Sequence, residues 1–126
     1  MKETFYTERA PKAIGPYSQG VSASGKLLFI SGQIPVDPET GIFAGEDIKT
    51  QTKQSLLNLK AVLESAGGSL ENVVKTTVFL QDMGDFAAMN EVYGTFFQKD
   101  YPARSAVAVV SLPRGARVEI EAIAML

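Results

Sequence analysis

The sequence predicts an α+β fold, a two-layer arrangement in which two helices pack on one face of a mixed β-sheet. Three observations carry this. Two stretches repeat apolar residues at helical spacing, two others alternate with the period of a strand, and the elements run in the order strands, helix, strand, helix, strands. With 126 residues the chain has the size of one domain, residues 1–126, large enough to bury a core.

The first third reads as extended. Ala13-Ile14-Gly15-Pro16-Tyr17 is broken by Gly and Pro and predicts a loop. Residues 18–23 predict a short strand, and Ser24-Gly25 a tight hairpin turn into a second strand over residues 26–31. Gly32-Gln33-Ile34-Pro35 ends that strand, because Pro35 has no N–H to donate to a ladder. A loop is expected over residues 38–45.

Residues 46–66 predict the first helix. Leu56, Leu59 and Leu63 recur at helical spacing, Ile48 and Thr52 extend the stripe backward, and Gly67-Gly68 supplies the stop. Residues 73–81 alternate as a strand. Asp82 is expected to cap the second helix, with Asp85 near its positive end. Phe86, Met89, Tyr93, Phe96 and Phe97 form that helix's apolar face, and it must end before Pro102. Residues 104–112 and 117–125 predict two last strands, joined by a turn at Pro113-Arg114-Gly115-Ala116. Helices on one side leave the other sheet face to be covered, and subunit association is the expected cover.

Composition excludes much chemistry. The chain has no histidine and no cysteine, which rules out Ser-His-Asp triads, Cys-His pairs, disulfides and zinc sites built on those ligands. Its acidic residues are scattered and follow no calcium-loop pattern. The net charge of −2 and pI near 5.1 lack the basic excess of a nucleic-acid binder, so no nucleic-acid partner is expected. No apolar run approaches the roughly 20 residues that span a bilayer, and the N-terminus has no signal-peptide pattern. A cytoplasmic protein without a membrane partner is expected. Ser22-Ala23-Ser24-Gly25-Lys26 holds a Gly-Lys pair but neither the glycine spacing nor the following helix of a phosphate loop.

Arg104 stands at the start of an otherwise uncharged strand. Its planar fork suits a carboxylate ligand, but a strand-end arginine in solvent or paired with a nearby acid fits the pattern too. Glu119 and Glu121 share a strand face with Ile123 and Met125; either they act as base or water anchor, or they are the polar side of an alternating strand. Ser31-Gly32-Gln33 permits close backbone approach of a ligand, or a bulge. The Tyr17 hydroxyl either orients a ligand or packs at a loop base. Asn90 reads as a cap for a buried backbone group. The cluster Phe86, Phe96 and Phe97 reads as core.

Five blocks occur together and in order: Ala13-Ile14-Gly15-Pro16-Tyr17-Ser18-Gln19-Gly20, Ser31-Gly32-Gln33-Ile34-Pro35, Val74-Lys75-Thr76-Thr77-Val78-Phe79, Pro102-Ala103-Arg104-Ser105 and Val118-Glu119-Ile120-Glu121-Ala122-Ile123-Ala124. Together they resemble the Rid family, formerly the YjgF family, and within it the RidA subgroup. The resemblance implies a chorismate-mutase-like fold and a homotrimer with sites between subunits. It implies hydrolysis of reactive 2-imino acids, 2-iminobutanoate and 2-iminopropanoate, to 2-keto acids and ammonia, without a cofactor or metal. By resemblance Arg104 clamps the substrate carboxylate, Glu119 positions the attacking water, and Tyr17, Ser31, Gly32, Asn90 and Ala106 line the pocket. The family's arginine block often reads Pro-Ala-Arg-Ser-Cys. Ala106 replaces that cysteine here; if the backbone N–H is the ligand donor, alanine serves equally. A non-catalytic module that binds a keto acid as a signal is the rival expectation.

Overall fold

The structure is a computed structural model and describes residues 2–126. Its strands are β1 (Lys2–Phe5), β2 (Gly20–Ala23), β3 (Leu27–Gln33), β4 (Val73–Leu80), β5 (Ala103–Ala108) and β6 (Val118–Met125). Two helices, α1 (Ile48–Ser65) and α2 (Phe86–Phe96), cross between them, with short 3-10 turns at Leu70–Asn72, Met83–Asp85 and Pro113–Gly115. The main sheet has four strands in the order β3-β6-β4-β5; β4 and β5 are parallel and the other pairs antiparallel. This is the expected α+β arrangement, two helices on one face of a mixed sheet.

The alternation in β6 sets the layers. Val118, Ile120, Ala122 and Ala124 are buried against the helices, while Glu119, Glu121, Ile123 and Met125 point to the other face. Leu56, Leu59 and Leu63 of α1 and Met89 and Tyr93 of α2 meet them, all fully buried. Each large apolar side chain so buried contributes about 1.5–3 kcal/mol. The helix α1 begins where Asp47 accepts a hydrogen bond from the Thr50 N–H at 3.0 Å, and that bond holds the Asp47 carboxyl below its ordinary range. It ends as Gly68 N–H donates to the Leu63 carbonyl and Gly67 N–H to that of Glu64, the double closure that glycines favour.

Three expectations are corrected. The strands on either side of Ser24-Gly25 do not form a hairpin. β2 pairs with β1, and the chain leaving the turn joins β6 instead, with Lys26 and Leu126 exchanging hydrogen bonds of 3.0 and 2.8 Å. The strand expected over residues 104–112 stops at Ala108. Its partner β4 ends at Leu80, whose carbonyl takes the last rung from the Val109 N–H, so residues beyond have nothing to pair with. Asp82 caps the 3-10 turn, accepting from Gly84 N–H at 2.8 Å, and not α2 itself; Asp85 stands at the N-cap of α2, near its positive end as expected, and also pairs with Arg117 at 3.1 Å.

The face of the sheet away from the helices is mixed: Lys75, Ser105, Glu119 and Glu121 share it with an apolar patch. Phe29 and Leu27 on β3 and Val107 on β5 are exposed there, beside Phe79, Ile123 and Met125. Among the described residues no helix is long and apolar enough to cross a membrane.

Candidate active site

Arg104 sits directly opposite Thr76 in the β4–β5 pairing. Thr76 is buried under α2, so register alone turns the arginine toward the helices and not into solvent. The side chain is 9% exposed, which decides against a solvated strand-end cation. Neither ion pair among the described residues involves it. It is surrounded by rings instead: its Cζ lies 4.8 Å from the ring centre of Tyr93, 5.0 Å from Tyr17 and 5.7 Å from Phe86. Nη1 donates to the Asn90 Oδ1 at 2.8 Å and points at the Met89 sulfur at 3.9 Å. Burial lowers the pKa of the guanidinium, an effect that Tyr93 and Tyr17 oppose.

Local structure explains how these side chains meet. The loop before β2 is pinned to the start of β5 by Ser18 N–H donating to the Pro102 carbonyl at 3.1 Å. The Tyr17 hydroxyl accepts from the Ile14 N–H at 3.2 Å, which closes that loop over the arginine. Gly15 packs so near that a Cβ there would lie 3.1 Å from both Arg104 Nη2 and Asn90 Nδ2. Asn90 therefore anchors the arginine and, among the described residues, caps no backbone group, a correction to the pattern-based reading. Ala106 lies two residues along β5 on the same face, half-buried.

The other residues lie elsewhere. Glu119 is opposite Phe79 on the face away from the helices, and β6 is two strands from β5. Its carboxylate occupies the space a side chain at Gly32 would need; a Cβ there would collide with Oε2 and lie 2.8 Å from Cδ. Gly32 and Ser31 form a bulge, since the β3–β6 register shifts between Ile30 and Gln33. Ser31 is exposed, and its carbonyl accepts from Gln33 Nε2 at 3.0 Å. The residues thus fall into two clusters, Tyr17, Asn90, Arg104 and Ala106 on the helix side of the sheet and Ser31, Gly32 and Glu119 on the open side.

Sequence reasoning missed five neighbours of Arg104. Gly15 signalled only loop punctuation, Phe86, Met89 and Tyr93 only a helix stripe, and Thr76 only a strand position. Each serves the core or a turn as well, so its pattern carried no separate mark. Among the described residues no three His, Cys, Asp or Glu side chains gather as metal ligands would. A cleft of about 420 Å³ at Lys2, Glu71, Phe97 and Asp100 is lined by no residue of either cluster.

A family model described as Endoribonuclease L-PSP matches residues 7–126. The chain belongs to this family, the Rid (YjgF) family. It is 59% identical over 124 residues to a RutC family protein of Pyrococcus horikoshii, covering 98% of each chain. It is 52% identical over 128 residues to the 2-iminobutanoate/2-iminopropanoate deaminase of Salmonella typhimurium, covering 99% of this chain and 98% of the relative. Among solved Rid structures, TdcF of Escherichia coli with bound serine aligns with a TM-score of 0.77 at 47% identity, covering 98% of both chains.

Proposed function

We propose that this Rid protein hydrolyses 2-imino acids, 2-iminobutanoate and 2-iminopropanoate, to the 2-keto acids and ammonia. The observation that carries the reading is Arg104: a buried guanidinium with no acidic partner among the described residues, its Cζ within 6 Å of three ring centres. A buried charge is costly unless paired, and a ligand carboxylate supplies the missing partner. Relatives named as the deaminase, and a serine-bound structural neighbour, support a small amino-acid-derived ligand.

The two clusters face opposite ways, so the complete site in this reading takes Arg104 from one copy and Glu119 from another. The apolar patch on the open sheet face is the surface on which copies meet, and a homotrimer is the proposed assembly. Arg104 holds the substrate carboxylate. Glu119 accepts a proton from water as its oxygen bonds to the imine carbon. The resulting amino alcohol collapses: Glu119 returns its proton to the nitrogen, the C–N bond breaks as the hydroxyl gives its proton back to Glu119 and becomes the keto C=O, and the departing ammonia carries that proton away as ammonium. A protonated imine is already electrophilic, so positioning and proton relay suffice.

The test supplies imine with a threonine dehydratase and follows keto-acid release. Added protein is expected to accelerate release, and Arg104→Ala to abolish the effect while light scattering shows the same assembly. Binding of 2-ketobutyrate without imine turnover would transfer the assignment to a non-catalytic regulatory module. An unchanged rate in Arg104→Ala would remove the arginine from the mechanism.

A further inference from the structure

Arg104 makes its side-chain hydrogen bonds from Nη1 alone among the described residues. One anchored nitrogen leaves the guanidinium free to swing about that anchor. The ring nearest its Cζ is that of Tyr93, with the centre 4.8 Å away. Tyr93 is itself fixed at two points. Its ring contacts that of Phe97 at 4.7 Å, and its hydroxyl shares a 2.7 Å hydrogen bond with Thr76 Oγ1. Thr76 is the strand neighbour of Arg104 across the β4–β5 pair. The contacts therefore close a ring: strand register places Thr76, Thr76 holds Tyr93, and Tyr93 holds Arg104.

We propose that Thr76 and Tyr93 are positioning residues that set the plane of the Arg104 guanidinium, so that its unbonded N–H groups face the bound carboxylate. The inference rests on Arg104 as the carboxylate-binding residue. Both hydroxyls are buried and serve only each other among the described residues. Burial pushes the Tyr93 phenol up to about 12, partly offset by Thr76 and Arg104. Tyr93 is thus a neutral phenol at neutral pH and no counter-ion for the arginine, which keeps the charge of Arg104 for the ligand.

The test compares Thr76→Val, which keeps the shape and loses the hydroxyl, with Thr76→Ser, which keeps the hydroxyl. The probe is 2-ketobutyrate, titrated calorimetrically into the assembled protein, with the Arg104 Nε–H signal followed by NMR. Thr76→Val is expected to weaken binding about five- to tenfold and broaden the arginine signal, whereas Thr76→Ser restores binding to within about twofold of the parent. Equal losses in both variants would show that any change at this buried position weakens binding, whichever group is lost, and overturn the inference. So would unchanged affinity in Thr76→Val. Arg104→Ala separates the two readings: if it loses binding while Thr76→Val does not, only the positioning role falls; if it binds normally, the carboxylate site falls with it.

Discussion

Arg104 and Glu119 lie on opposite faces of one sheet, two strands apart. Adjacent strands are separated by about 4.8 Å, so neither side chain can reach around the sheet to the other's face. A substrate touching both must touch two copies of the chain. Assembly and chemistry are then one property, and each can be probed through the other.

Arg104→Lys should fail as Arg104→Ala does. The ammonium has no planar fork and no delocalised π-system to set beside the rings of Tyr17 and Tyr93. Loss of a charge-assisted hydrogen bond of about 1.5–3 kcal/mol predicts roughly 10- to 100-fold weaker 2-ketobutyrate binding in both variants. Calorimetry checks this; full affinity in the lysine variant would mean that charge alone binds.

Gly32→Ala should behave like Glu119→Gln. The new methyl takes the space of the Glu119 carboxylate and drives it off its seat. Imine hydrolysis is expected to drop by about 10² in each variant, the scale of a lost general base, with 2-ketobutyrate binding largely kept. A fully active Gly32→Ala enzyme in a single-turnover assay would show that the position of the carboxylate is unimportant.

Tyr93 should make the protein sensitive to alkali. Its folded pKa, about 12, lies above the unfolded value of 10.0. Below pH 10 both states keep the proton and the buried phenol costs nothing. Between pH 10 and 12 the unfolded chain ionises first, so stability falls as pH rises, by on the order of 2 kcal/mol. Urea melts across that range should be steeper in pH for the parent than for Tyr93→Phe. Parallel slopes would exclude this source.

Leu59→Ala removes a fully buried side chain from the middle of α1. A loss of about 2–5 kcal/mol is expected, read as a lower denaturation midpoint at unchanged slope. A change below about 1 kcal/mol would mean that the helix layer relaxes into the gap.

Much of the fold was legible because periodicity is local. The stripe Leu56, Leu59, Leu63 marks α1, and the alternation from Val118 to Met125 marks β6 without knowledge of neighbours. The hairpin at Ser24-Gly25 failed because turn chemistry says that a chain can reverse, not that it must pair with itself; the bonds between Lys26 and Leu126 come from a segment about a hundred residues away. β1 escaped notice since Lys2, Glu3, Thr4 and Phe5 are half-buried or exposed and follow no apolar alternation. At the site, pattern marked Arg104 but left its surroundings open. Which face it takes depends on register with Thr76, and Asn90 gained its role only when α2 packed over β5.

The aromatic cage has one more consequence. A cation neutralised by a carboxylate, or shared with an imidazole, changes its grip when that partner titrates. Arg104 has rings and an amide for company, and among the described residues no carboxylate pairs with it; the Tyr93 phenol, pushed up to about 12, stays neutral at ordinary pH. In the proposed reading, anion capture at Arg104 should therefore be nearly indifferent to cellular acidity.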